Sequence, residues 1–372
     1  MADRYWVGGT DNWNGTAGSK WALTSGGTGG EAVPTAADDV FFDANSGTVT
    51  VTVATTAGLA LNLNFTGFTG TIAGATGITV TGNLTLDNTM AGWTNTGTLT
   101  LNATATTQVI TSNGVAMTCP ITRSGVGGSA QLVGNLTTGA TRAFTLTDGD
   151  LDLNGAVLSC GIFAFSGTAT KSVTTNGGSI TLTGNNTTIL NCGNGTGYTL
   201  TGALTVTATY SGATGTRVFL YENIVDGNDV SIAVTAGTDI VNYRGEFKNV
   251  DFTGFAGTIT PNGTAFLSGN LTIPSGVTYT SNANVVTFRG TSGTQVITTN
   301  GITFGSPITF NGVGGTFQLA GQLNQAATRA VLTTNGTLDL NGFKITGGLM
   351  TIDDTAAAGS SGMVMTRLQL GM

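Results

Sequence analysis

The chain has 372 residues, of which 59 are glycine and about one in five is threonine, with only 5 prolines and 8% charged residues. This composition excludes collagen, because no G-X-Y period is present, and disorder, because disordered chains are charge-rich and poor in β-branched residues. A net charge of −7 leaves no basic stripe for phosphates, so no nucleic-acid partner is expected. The lack of an 18-residue apolar run excludes a helical membrane insertion.

The chain opens MADRYW, without the apolar stretch of a secretory signal, so no export route is expected. Residues 1–45 carry three of the four tryptophans, Trp6, Trp13 and Trp21, and the acidic-aromatic run DDVFFD with Phe41 and Phe42. This module suits the end of a repetitive body, where strand edges and an apolar interior would otherwise be open. Its aromatics, Trp6, Trp13, Trp21, Phe41 and Phe42, are the first candidates for an attachment or docking surface.

From residue 46 onward, short alternating runs recur between Gly and Asn-Gly punctuation. Val49, Val51 and Val53 share one face of residues 48–53; Ile78/Val80, Leu84/Leu86, Leu151/Leu153, Ile180/Leu182 and Leu204/Val206 repeat the pattern. Period two with turn punctuation predicts strands. Threonine and valine favour pleated surfaces, whereas helix formers are scarce, with four lysines and three glutamates.

An internal duplication organises the chain. FTGFTGTI at 65–72 returns as FTGFAGTI at 252–259, TQVIT at 107–111 returns at 294–298, and LDLNG at 151–155 returns at 338–342. Every pair is offset by 187 residues, and residues 62–155 match 249–342 at 44 of 94 ungapped positions. A fainter echo links TKSVTTNG, ending at Gly177, to TQVITSNG, ending at Gly114. Fixed-offset self-similarity points to stacked or tandem architecture.

The expected fold is therefore all-β: an elongated β-solenoid, parallel β-helix-like, with an internal tandem duplication. Tandem β-sandwich domains are the alternative. At roughly 20–25 residues per coil and about 4.8 Å per layer, the repeats would form a rod. The expected divisions are 1–45, a capping or attachment module; 46–248, the first copy (core 62–155) with intervening coils; 249–353, the second copy (core 249–342); and 354–372, a linker and apolar tail. Leu368 and Leu370 in that tail are further docking candidates.

Candidates for chemistry are few. The chain has no histidine, which removes the commonest general base and nucleophile partner. No catalytic residue and no cofactor is expected. Cys119, Cys160 and Cys192, odd in number and 41 and 32 residues apart, read as buried small hydrophobes rather than a disulfide framework. Asp148, Asp150 and Asp152 form a weak calcium candidate, solvated turn and strand residues being the plainer reading. Only Asp339 of their three equivalents in the second copy is acidic. Glu222, Asp226 and Asp229 suggest an exposed loop. The Thr-Arg pairs at Arg142, Arg217, Arg329 and Arg367 fit coil-edge caps or bridges between subunits.

Residues 4–43, RYWVGGTDNWNGTAGSKWALTSGGTGGEAVPTAADDVFFD, resemble the opening of a group of bacteriophage virion proteins. That group shares Arg-Tyr-Trp-Val-Gly-Gly, a Trp-centred segment, Ser-Gly-Gly-x-Gly-Gly, Val-Pro-Thr and Asp-Asp-Val-Phe-Phe-Asp. The resemblance implies a tail-fibre-like or other particle-surface protein with a β-repeat body. It implies a non-enzymatic role in host attachment or capsid decoration, with other virion proteins and a host-surface glycan or protein as partners. By analogy with fibres it also implies a homo-oligomer, a trimer being the natural case. Assembly in the host cytoplasm and release by lysis would place the protein in the virion without a signal peptide. A glycan-cleaving spike and a cellular surface adhesin are the competing expectations.

Overall fold

The computed structural model describes residues 1–14, 20–185, 187–193, 198–222, 229–280 and 282–352. They are nearly all-β, wound as parallel β-solenoid coils, about 14 in total. The helical element among them is a single turn of 3₁₀ helix, Ala44–Ser46, capped by Asp43. The chain divides into two compact units: residues 1–183 with 194–202, and 184–193 with 203–372. Residues 1–45 share the first unit's sheets, and the two copies of the duplication fall in different units.

In the first unit each coil lays down one strand on each of three faces. Val40 pairs with Leu63, Leu63 with Leu84, Leu84 with Ile110 and Ile110 with Leu132, all in parallel. Successive partners here are 21 to 26 residues apart, close to the expected coil length. All five are buried, and each such side chain removed from water contributes about 1.5–3 kcal/mol. A second row runs Val80–Leu101–Arg123–Leu146–Phe165. Neighbouring residues of the same strands, such as Thr79, Thr100, Thr122 and Thr145, form matching outward rows.

Parallel pairing overturns the β-sandwich alternative. Among the described residues, only Asp3–Trp6 with Trp21–Ala22 pairs antiparallel, and Trp21–Ala22 ends its sheet. The inward row also ends there in a charged residue: Arg4 pairs with Val40 in the ladder and reaches Glu31 at 3.3 Å.

The second unit begins with longer strands. Thr216–Tyr221 pairs with Ile240–Phe247. That strand then serves two partners, Thr258–Ile259 through its start and Ala265–Leu267 through its end. From there short strands return, until Ile308–Leu319 and Ala330–Asp339 each run on as one long strand. Ala265–Leu267, Val286–Phe288 and the start of Ile308–Leu319 stack in register.

The corner after the first face is built from Asn-Gly. Asn113, Asn154, Asn176, Asn300 and Asn341 have φ of 47–48°, and each following glycine also has positive φ, as a type I′ turn requires. In four of them the side chain fastens the corner to the preceding coil. Asn113 donates to the Leu86 carbonyl (2.8 Å), Asn154 to Leu132 (3.1 Å), Asn300 to Ile273 (2.9 Å) and Asn341 to Leu319 (3.2 Å).

Candidate functional site

Four of the five described docking candidates are core residues, which corrects the expectation of a surface. Trp6, Trp13, Trp21 and Phe42 are at most 1% exposed. Trp6 and Trp21 meet edge-to-face at 5.1 Å, Trp13 and Trp21 at 5.3 Å, and Phe42 stacks on Phe65 at 5.0 Å. The indoles of Trp6 and Trp21 donate to the carbonyls of Gly9 and Trp13. Each aromatic pair adds about 0.5–1.5 kcal/mol beyond its burial. These side chains fill the interior of the first coils and offer nothing to a partner. Leu368 and Leu370 lie outside the described residues.

Phe41 differs from its neighbour Phe42 by parity alone. It points outward, partly exposed, and stacks on Tyr5 with centroids 4.6 Å apart and planes 13° from parallel. The outward row runs Tyr5–Phe41–Asn64–Thr85–Thr111–Val133. Where it steps from aromatic to small, a shallow trough opens, lined by Asp39, Phe41, Asn62, Leu63, Asn64, Asn83 and Thr85. Asn62 donates to Asp39 (2.6 Å) and accepts from the Asn83 amide (2.7 Å). Asn83 in turn accepts from the Val109 amide (2.9 Å). Burial, and then the carboxylates of Asp3 and Asp43, raise the Tyr5 phenol above its ordinary pKa.

Asp150 and Asp152 are engaged in hydrogen bonds between coils, whereas Asp148 accepts from the adjacent Gly149 amide (2.6 Å). Asp150 accepts from the Ser172 hydroxyl (2.6 Å). Asp152 accepts from Gln131 (2.8 Å), the Asn154 amide (2.8 Å) and Asn176 (3.0 Å). Donors already aimed at both Asp152 oxygens oppose a cation there. No group of three or more His, Cys, Asp or Glu side chains converges as a metal site among the described residues.

The sequence reading missed the buried cations beside these acids. Arg123 and Lys171 are fully buried. Arg123 donates to the carbonyls of Leu101 (3.3 Å) and Ala103 (3.0 Å), Lys171 to those of Gly167 (3.2 Å) and Ala169 (2.7 Å). Burial lowers the pKa of both; Asp150 and Asp148 oppose this for Arg123, and Asp148 for Lys171. Asp148 thus favours the charged form of both buried cations, and Asp150 that of Arg123. Strand parity carried the signal, because Arg123 shares the face of Ile121 and Lys171 that of Val173.

Arg217 is neither an edge cap nor a bridge between subunits. It lies buried against Asp239, with two bonds of 2.8 and 2.6 Å, and within 5.5 Å of the Phe255 ring centroid. Glu222 pairs with Arg244 at 3.0 Å and Asp229 with Lys248 at 2.7 Å; Asp226 and Arg367 lie outside the described residues. The three cysteines are free and buried as expected. Burial pushes the Cys119 thiol up to about 11 and Cys160 to about 12, so neither is a thiolate at neutral pH.

No protein family, curated protein or solved structure matches the chain.

Proposed function

We propose that this chain is a structural, non-enzymatic protein of a bacteriophage particle, a tail-fibre- or spike-like β-solenoid that contributes to host-surface attachment. One observation carries the reading. The described residues of the segment that resembles phage virion proteins, 4–14 and 20–43, are wound into the first coils of the solenoid: Asp3–Trp6 pairs with Asp39–Phe41, and that strand with Leu63–Asn64. The segment and the repeat body therefore form one folded element. A protein built this way holds its outward side chains in fixed rows while its interior is sealed, which suits a mechanical and adhesive part.

Antibodies against the purified chain test the proposal on particles of the phage whose genome encodes it. Immunogold label on intact particles is expected, on the tail for a fibre or spike and on the head for a decoration protein. Absence of label, together with absence of the chain's peptides from digested particles, would overturn it.

A further inference from the structure

We infer that the trough beneath Phe41 is a binding site for a neutral saccharide, with the Phe41 ring as its stacking wall and Asn64, Asn83 and Asp39 as its hydroxyl partners. The inference rests on the attachment reading for its biological sense, but on geometry for its location.

Tyr5 covers one face of the Phe41 ring. The other face looks along the row toward Asn64, a smaller side chain one coil further on. A pyranose presents a flat patch of C–H groups that packs against such a ring, while its hydroxyls need donors and acceptors around the edge. The trough supplies both. Asn64 accepts from the Thr66 amide, and among the described residues its Nδ2 has no partner, nor have the Nδ2 of Asn83 and the second oxygen of Asp39. Carboxylates at Asp3, Asp39 and Asp43 disfavour an anionic sugar.

The second copy of the duplication acts as an internal control. Asn249 and Asn270 reproduce the ladder of Asn62 and Asn83: the Asn270 amide donates to Asn249 (2.8 Å) and the Val296 amide to Asn270 (2.8 Å). The ladder itself therefore belongs to the coil. In the preceding strand, however, Ala233 pairs with Asp251 where Phe41 pairs with Asn64, and Ser231 replaces Asp39 as the partner of the first asparagine. The Phe41 wall and the Asp39 carboxylate belong to the coil that precedes the first copy, and coil stacking does not require them.

Saturation-transfer NMR of the full chain with glucose, galactose, mannose and N-acetylglucosamine tests the site. Transfer to the ring protons of at least one sugar is expected, with at least a tenfold loss of affinity in Phe41→Ala. Asn64→Leu, which leaves the buried rows intact, should lose binding similarly while tryptophan fluorescence stays unchanged. No transfer to any of the four sugars, or transfer unaffected by both substitutions, would overturn the site. A chain present on particles but without transfer sinks only the trough; a chain with transfer but absent from particles sinks only the attachment reading.

Discussion

In the first copy of the duplication, one coil corner is filled by the guanidinium of Arg123; in the second, the matching corner is filled by the Phe317 ring. The corner glycines are the same, Gly125, Gly128 and Gly149 against Gly312, Gly315 and Gly336. A Cβ at Gly149 would lie 2.7 Å from the Arg123 guanidinium, and one at Gly336 would lie 2.8 Å from Phe317. Cβ atoms at Gly125 and Gly128 would strike the Ala103 carbonyl, and those at Gly312 and Gly315 the Gly290 carbonyl. The backbone path thus fixes the glycines, whereas the filling is free to vary. It varies as a set. Where the first copy has Arg123, Ala130, Asp148 and Asp150, the second has Phe310, Phe317, Asn335 and Thr337. Phe310 and Phe317 lie 5.2 Å apart, and Phe310 stacks on Phe288 at 5.5 Å. A cation with nearby acids has been exchanged for an aromatic cluster with neutral neighbours.

The sharpest test of this exchange is to move one member without the others. Phe310→Arg should destabilise the second unit by about 3–5 kcal/mol, because the buried charge meets Asn335 and Thr337 in place of carboxylates. Its urea midpoint should fall accordingly. Arg123→Phe should be far milder, between neutral and about 2 kcal/mol in either direction, since it replaces a buried ion beside the small Ala130. Equal losses from the two substitutions would break the comparison.

A smaller difference is expected at Gln108 and Gln295, which are identical in sequence and both buried. Gln295 donates to the carbonyls of Leu267 (3.2 Å) and Gly269 (2.9 Å) and accepts from the Gly290 amide (2.9 Å). Gln108 donates to Val80 and Gly82, but its Oε1 has no partner among the described residues. Gln295→Ala should therefore cost about 1 kcal/mol more than Gln108→Ala in urea unfolding.

The smallest effect is in acid. Amide bonds from Gly67 and Thr89 and the Thr89 hydroxyl hold Asp87 below the ordinary carboxylate range. Gln318 and the Asn341 amide do the same for Asp339. A lowered folded-state pKa stabilises the fold above the unfolded value, and this stabilisation is lost as pH falls through the folded one. Stability should decline below about pH 4, and Asp87→Asn or Asp339→Asn should flatten that decline. Position 87 becomes Pro274 in the second copy, so the Asp87 contribution belongs to the first unit alone.

Much of this was legible before the fold was known. Alternation at Val51/Val53 or Leu151/Leu153 gave the buried rows, and the 187-residue offset announced repeated coils. Asn-Gly marked corners because only a few residue types accept positive φ. Alternation alone does not distinguish parallel from antiparallel partners, since both bury every second residue; the repeat offset is what favoured the parallel solenoid. Two things were not legible. The adjacent Phe41 and Phe42 were grouped as one docking motif, although neighbours in a strand face opposite ways. Arg217 fitted a coil-edge cap or a bridge by residue type, and Arg123 and Lys171 drew no reading at all, although strand parity places all three inside. The candidate site was half visible: Phe41 was singled out, but Tyr5, Asn64 and Asn83 join it only through pairing between coils.

The Asn-Gly corners carry a consequence for the protein's lifetime. In an Asn-Gly pair the glycine nitrogen readily attacks the side-chain carbonyl and expels ammonia, closing a succinimide that water then opens to aspartate or isoaspartate. The amide that would be expelled at Asn113, Asn154, Asn300 and Asn341 is the one that grips the preceding coil. Each clasp thus shelters itself from chemical ageing while it stays closed, and a coil that loosens even briefly starts its own clock.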